Sequence, residues 1–143
     1  MKFLILILLV LQITLVLSVT KAQRDAVKVV IGFLKLFTKK NSQFLDANFE
    51  RIDPDGTRIG RAAFIQFLNR IPDKEAQKVE KKVQDAKQQS DWSSSFGTVD
   101  AEFTTGNMLN VRVYDNGVLS AMYLAKPSSL TEEGYTLFRW QRF

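Results

Sequence analysis

The sequence predicts an α+β fold with helices first and an antiparallel meander after them. Apolar residues recur at three- and four-residue spacings over residues 25–40 and 61–71, the period of amphipathic helices. From Val99 onward apolar and polar residues alternate, the period of half-buried strands. Asp115-Asn116-Gly117 then sits between two such runs, where two left-handed residues make a tight hairpin.

Ahead of these elements lies a different kind of segment. Met1 and Lys2 precede an apolar run from Phe3 to Val19, interrupted by Gln12, Thr14 and Ser18. One positive charge, an apolar stretch and then small residues is the layout of a secretory signal peptide. Thr20 and Ala22 are small enough for signal peptidase, so cleavage is expected between Ala22 and Gln23. The run is short and interrupted for a spanning helix, which needs ~20 apolar residues. The expected organisation is a signal peptide over 1–22, a single domain over 23–143, secretion, and no membrane association after cleavage.

The first helix is expected from Asp25 to Lys40. Ala26, Val30, Phe33, Leu34 and Phe37 form its apolar stripe, and Val27, Ile31 and Leu36 widen it. Asn41 and Ser42 break the chain. Phe44, Leu45 and Phe49 then read as a short helical turn followed by a strand. Asp53-Pro54-Asp55-Gly56 is a turn: proline presets one dihedral, glycine supplies a positive one and aspartate bonds locally. The second helix, Arg61 to Ile71, places Phe64, Phe67, Leu68 and Ile71 on one face, and Pro72 stops it. Glu75 to Gln88 is ambiguous: its helix formers favour a helix, while Val79 and Val83 also share one side of a strand. The remaining strands are Val99–Phe103, Leu109–Tyr114, Val118–Ala125 and Tyr135–Phe143, with a loop over 127–134.

Composition removes whole classes of chemistry. The chain has neither cysteine nor histidine. Thiol nucleophiles, disulfides, thiolate or imidazole metal sites and a Ser-His-Asp triad are therefore excluded. Catalysis would rest on carboxylates, tyrosine, lysine or backbone amides. The net charge of +5 is mild, and the densest lysine stretch, Lys78 to Lys87, is interleaved with Glu80 and Asp85. Mixed signs of this kind make a solvated face and argue against a nucleic-acid partner. No Asn-x-Ser/Thr acceptor occurs. Thr57 and Arg58 occupy positions where a calcium loop needs an oxygen ligand and a glycine, so Asp53 and Asp55 do not begin one.

Residues 49–71, FERIDPDGTRIGRAAFIQFLNRI, carry a resemblance. A strand ending in Asp-Pro-x-Gly, then Gly-Arg-x-x-Phe-x-x-Phe-Leu, resembles the nuclear transport factor 2-like superfamily, which includes SnoaL-type cyclases and ketosteroid isomerases. The motif spans about twenty residues; in layout the likeness covers most of the mature chain. It implies a cone: a curved antiparallel sheet wrapped around N-terminal helices, with an apolar cavity at its mouth. It also implies that residues 75–88 form a strand, which is the expectation adopted over the local preference because tertiary context overrides propensity, and that the sheet can pair two copies into a homodimer.

The resemblance places a general base at Asp53. The isomerases add a tyrosine on the first helix and a buried acid on a late strand; here the helix has none, and Phe33 stands nearest that position. Tyr114, Tyr123 and Tyr135 all lie in the last third, and Asp100 and Glu102 alternate away from the apolar face. The expectation is a non-enzymatic domain without cofactor or metal, binding a small apolar ligand or self-associating. Phe33, Phe37, Phe64, Phe67, Phe103 and Trp140 are the ligand-pocket candidates, each of which also reads as ordinary core. An isomerase- or cyclase-type enzyme using Asp53 is the alternative. A cystatin-like inhibitor is a second, though its Gln-x-Val-x-Gly hairpin is missing. Trp92, in a serine-rich loop, reads as a contact residue or one folded back onto the sheet. The terminal Arg142-Phe143 matches an amidated peptide only superficially, with no glycine after it.

Overall fold

The computed structural model describes residues 20–88 and 97–143; the expected leader up to Val19 and the Trp92 loop lie outside the described residues. Helix α1 runs Lys21–Lys39 and starts four residues earlier than the apolar stripe implied. Its start is set by a capping box: the Thr20 hydroxyl accepts from the Gln23 backbone N–H at 3.2 Å, and the Gln23 side chain accepts from the Thr20 N–H at 3.3 Å. Ala22 is already buried, so a boundary between Ala22 and Gln23 falls inside the first turn of this helix. The helix ends at Lys40, whose φ of 53° is left-handed. The Lys40 ammonium donates to the Leu68 carbonyl and so ties this end to the next helix.

A 3₁₀ turn at Ser42–Phe44 leads into strand β1, Leu45–Ile52. The Phe44 ring is fully buried beneath α1, and Gly32 is what admits it: a Cβ there would sit 2.5 Å from Phe44 Cε1. The Asp-Pro-Asp-Gly segment turns as expected. Asp53 N–H donates to the Thr57 carbonyl, Gly56 N–H donates back to the Asp53 carbonyl, both at 2.9 Å, and Gly56 takes φ 86°. Strand β2, Arg58–Gly60, which the sequence pattern did not reveal, pairs antiparallel with β1. Helix α2 follows at once, Arg61–Asn69, burying Phe64 and Leu68.

Residues Asp73–Gln88 form helix α3, which corrects the strand that the resemblance implied for 75–88. Local chemistry prevails. Asp73 and Glu75 lie in the first turn, where they complement the helix dipole. The Pro72 carbonyl accepts the Glu75 and Ala76 N–H groups. Lys78 pairs with Glu75, and Gln84 bonds Glu80, one turn apart. Ala76 and Val79 are half-buried while most of their neighbours are exposed, so α3 has one narrow apolar face, and it packs on α1.

Strands β3 (Thr98–Phe103), β4 (Leu109–Asp115), β5 (Val118–Pro127) and β6 (Tyr135–Arg142) form the expected meander. Asn116 and Gly117, at φ 51° and 79°, make the β4–β5 hairpin. The sheet is six-stranded, open and curved, in the order β2-β1-β6-β5-β4-β3. It is mixed, which corrects the antiparallel expectation: β1 and β6 run parallel, with Leu45 opposite Leu137 and Arg51 opposite Trp140. A parallel pair needs a long crossover, and two helices and four strands supply it. The described residues thus form an α+β fold of three α-helices and this sheet. Helices α1 and α2 pack on the same side of it: Phe33 of α1 and Phe64 of α2 both meet Trp140 of β6. The core lies between, where Phe44, Phe49, Phe64, Leu36, Leu68, Leu109 and Leu137 are fully buried. None of the described helices is long and apolar enough to cross a membrane.

Candidate functional site

Strand alternation decides which side chains meet the helices. On β1, Phe49 and Arg51 share one side; on β6, Trp140 lies opposite Arg51, and on β5, Tyr123 lies opposite Trp140. This row continues through Val111 to Ala101. From above, α1 lowers Phe33 onto it, with ring centroids 4.7 Å from Trp140 and 4.8 Å from Tyr123, and Phe37 stands 5.2 Å from Phe33. From the other end, α2 brings Phe64 to 5.0 Å from Phe49 and 5.9 Å from Trp140. Phe67 stacks on Phe64 at 5.9 Å and remains 44% exposed, so the aromatic assembly reaches solvent at this rim.

The same rim carries charge. The Arg51 guanidinium lies 5.5 Å from the Phe67 ring and donates to Asp53 Oδ2 at 3.1 Å. Arg142 lies 5.7 Å from the Trp140 ring and donates to Asp53 Oδ1 at 3.4 Å. Asp53 thus sits at this rim with each oxygen engaged by an arginine. Burial pushes the Tyr123 phenol up to about 12, and Trp140 offsets part of that shift. The indole approaches the phenol without meeting hydrogen-bond geometry, since Trp140 Nε1 is buried and unpartnered.

Five of the six pocket candidates therefore converge: Phe33, Phe37, Phe64, Phe67 and Trp140 form one contact network. Phe103 does not join them. It sits at the end of β3, 41% exposed, with the Lys21 ammonium 5.5 Å from its ring. There it lines a different cleft of about 490 Å³, together with Asp25, Lys28 and Tyr135.

That second region holds a buried polar pair. Tyr135 donates to Asp25 Oδ2 at 2.6 Å, and Lys21 and Lys28 flank the same carboxylate at 3.6 and 3.7 Å. Burial raises the Asp25 pKa, but the Tyr135 bond and the two ammonium groups outweigh it and leave the carboxyl below its ordinary range. The Tyr135 phenol is pushed up by burial and by the carboxylate it serves. Beside it Glu133 is buried against Lys35 at 3.7 Å, one oxygen unpartnered. A larger open cleft, of about 700 Å³, lies between Leu45, Arg61, Pro127 and Leu130. The described residues contain no cluster of carboxylates placed to hold a metal ion.

Arg51, Tyr123 and Arg142 escaped the sequence reading, as did the pairing of Asp25 with Tyr135. The two arginines were within its reach. Arg51 is two residues beyond Phe49, and Arg142 two beyond Trp140, so strand period alone places each with an inward aromatic. Asp25 and Tyr135 are 110 positions apart, and no local pattern joins them. No family model matches this chain, and no curated protein or solved structure matches it either.

Proposed function

We propose that this chain is a secreted, non-enzymatic binding domain that takes a small apolar ligand on the helix-covered face of its sheet. The observation that carries this reading is the aromatic network Phe33–Trp140–Phe64–Phe67, which runs from the core to an exposed rim. Apolar walls with a few placed polar groups are the usual make-up of small-molecule sites. The engagement of Asp53 by Arg51 and Arg142 supports a binding role over proton abstraction. The leader-like first residues support secretion, and the cone of the nuclear transport factor 2-like superfamily remains the fold the motif proposes. Native mass spectrometry of the secreted protein, purified without denaturation, tests it. A mass excess removed by organic extraction is expected; a bare mass, with no uptake of a hydrophobic fluorophore, sinks the proposal.

The opposite sheet face favours a second reading, self-association. Neither α1 nor α2 packs on that side, where Met122 and Leu124 sit half-buried beside the unpartnered Asn110 Oδ1 and Arg139 Nε. A second copy could cover these groups through a two-fold interface. Sedimentation velocity is expected to show a dimer that Leu124→Glu dissociates; a monomer at every concentration removes this reading.

A further inference from the structure

Two buried donors on the helix-covered face meet no acceptor with hydrogen-bond geometry: Nε of Arg51, and Nε1 of Trp140, which only approaches the Tyr123 phenol. Folded chains leave few such groups empty, because removing a donor from water without a new partner is costly. The two residues are direct partners across the parallel pair β1·β6. Their side chains therefore leave the sheet on the same side, from backbones roughly 4.8 Å apart. Arg51 is only 13% exposed yet abuts the half-open Phe67 ring, so the donors lie just inside the aromatic rim. The charge there is uneven: two guanidiniums, Arg51 and Arg142, share the single carboxylate of Asp53.

Resting on the apolar-ligand reading above, the geometry points to a more specific occupant: an amphiphile with a carboxylate head, of the long-chain monocarboxylic acid class. Its chain lies over the exposed Phe67 ring, where the network of Phe33 and Phe64 reaches the rim, and its head accepts from Arg51 Nε and Trp140 Nε1. A planar guanidinium suits a carboxylate, since it offers directed donors as well as charge. A neutral apolar molecule would satisfy the aromatic walls but leave both donors and the excess positive charge unmatched.

The chain has two tryptophans, so Trp92→Phe makes Trp140 the sole indole reporter. Dodecanoate and its uncharged methyl ester are titrated into this protein, below the concentration at which either aggregates, while Trp140 emission is read. The acid is expected to bind about tenfold or more tighter than the ester, the worth of one charge-assisted hydrogen bond. Arg51→Met is expected to abolish that preference, so that acid and ester bind with similar affinity. Equal binding of acid and ester overturns the carboxylate head while leaving the apolar-ligand reading standing. Binding of neither overturns both. Should Arg51→Met fail to fold, the acid-to-ester ratio on the Trp92→Phe protein still decides.

Discussion

The two faces of the sheet come from the same six strands, yet they use charge in opposite ways. On the open face, Arg112 holds Asp100 at 2.6 Å and Glu102 at 2.8 Å, and Arg58 holds Glu50 at 2.9 Å. These are the short pairs, but each has an acidic partner 39–63% exposed. On the helix-covered side the contacts are no shorter. Asp25 meets its two lysines at 3.6 and 3.7 Å, and Asp53 meets its arginines at 3.1 and 3.4 Å, with side-chain exposures of 9% and 19%. Contact length therefore ranks these pairs in the wrong order. Water screens the open face, whereas groups beneath the helices lose their solvent and depend on the partners the fold supplies.

Truncation of the aromatic network tests that contrast most severely. Phe64 is fully buried and touches Phe49, Phe67 and Trp140 at once. Phe64→Ala is expected to destabilise the domain by about 3–5 kcal/mol, read as a shift in urea midpoint. A loss below about 1 kcal/mol would mean that the neighbouring rings collapse into the gap, and that this end of the core is plastic.

How far the sequence carried the reading follows from the range of each signal. Helical stripes, the Asp53–Gly56 turn and the Asn116-Gly117 hairpin are local, and all appear where periodicity and turn chemistry put them. The segment 75–88 was half legible: its helix formers favour the helix it is, but Val79 and Val83 also fit one side of a strand, and the borrowed cone plan tips the expectation that way. The parallel β1–β6 pairing was not, because register between distant strands leaves no mark on either one. Strand β2 is three residues long, too short to show alternation. Phe67 shares a helical face with Phe64 but lies at the rim, and the period that groups residues on a face does not say where the covering element ends. Phe103 followed the strand period correctly and still missed the aromatic network, because it occupies the far edge strand.

The Asp25–Tyr135 pair comes next in size. Tyr135→Phe deletes one hydroxyl and leaves the Asp25 carboxylate, 9% exposed, without its 2.6 Å donor. Hydrogen bonds to charged groups contribute about 1.5–3 kcal/mol, and a loss of that order is expected near neutral pH. Because the folded Asp25 pKa is depressed, its stabilisation is fully present above the ordinary carboxylate value of 3.8 and disappears as pH falls through the folded value. For the Tyr135 phenol, whose folded pKa is raised, the contribution is present below the ordinary value of 10.0 and is lost as pH rises through the folded one. The gap between parent and variant melting temperatures should therefore be widest between these limits and shrink toward acid. A gap independent of pH down to 2 would show that Asp25 and Tyr135 contribute packing and no charge-dependent bond.

The smallest effect is expected on the open face. Arg112→Met removes both short contacts at once, but Asp100 and Glu102 are 47% and 63% exposed and regain water when released. The cost is expected to lie within about 0–1 kcal/mol and to vanish near 1 M salt, where the screening length is about 3 Å. The same variant also reports on what covers this face. If β3 and β4 stay bare in solution, the loss is small and independent of protein concentration. If a second copy packs here, Arg112 and its two carboxylates are desolvated together, and breaking the cluster strands charges in an interface. A loss above about 2 kcal/mol that shrinks on dilution would then assign the open face to self-association, and the two faces would differ in the partner each excludes from water.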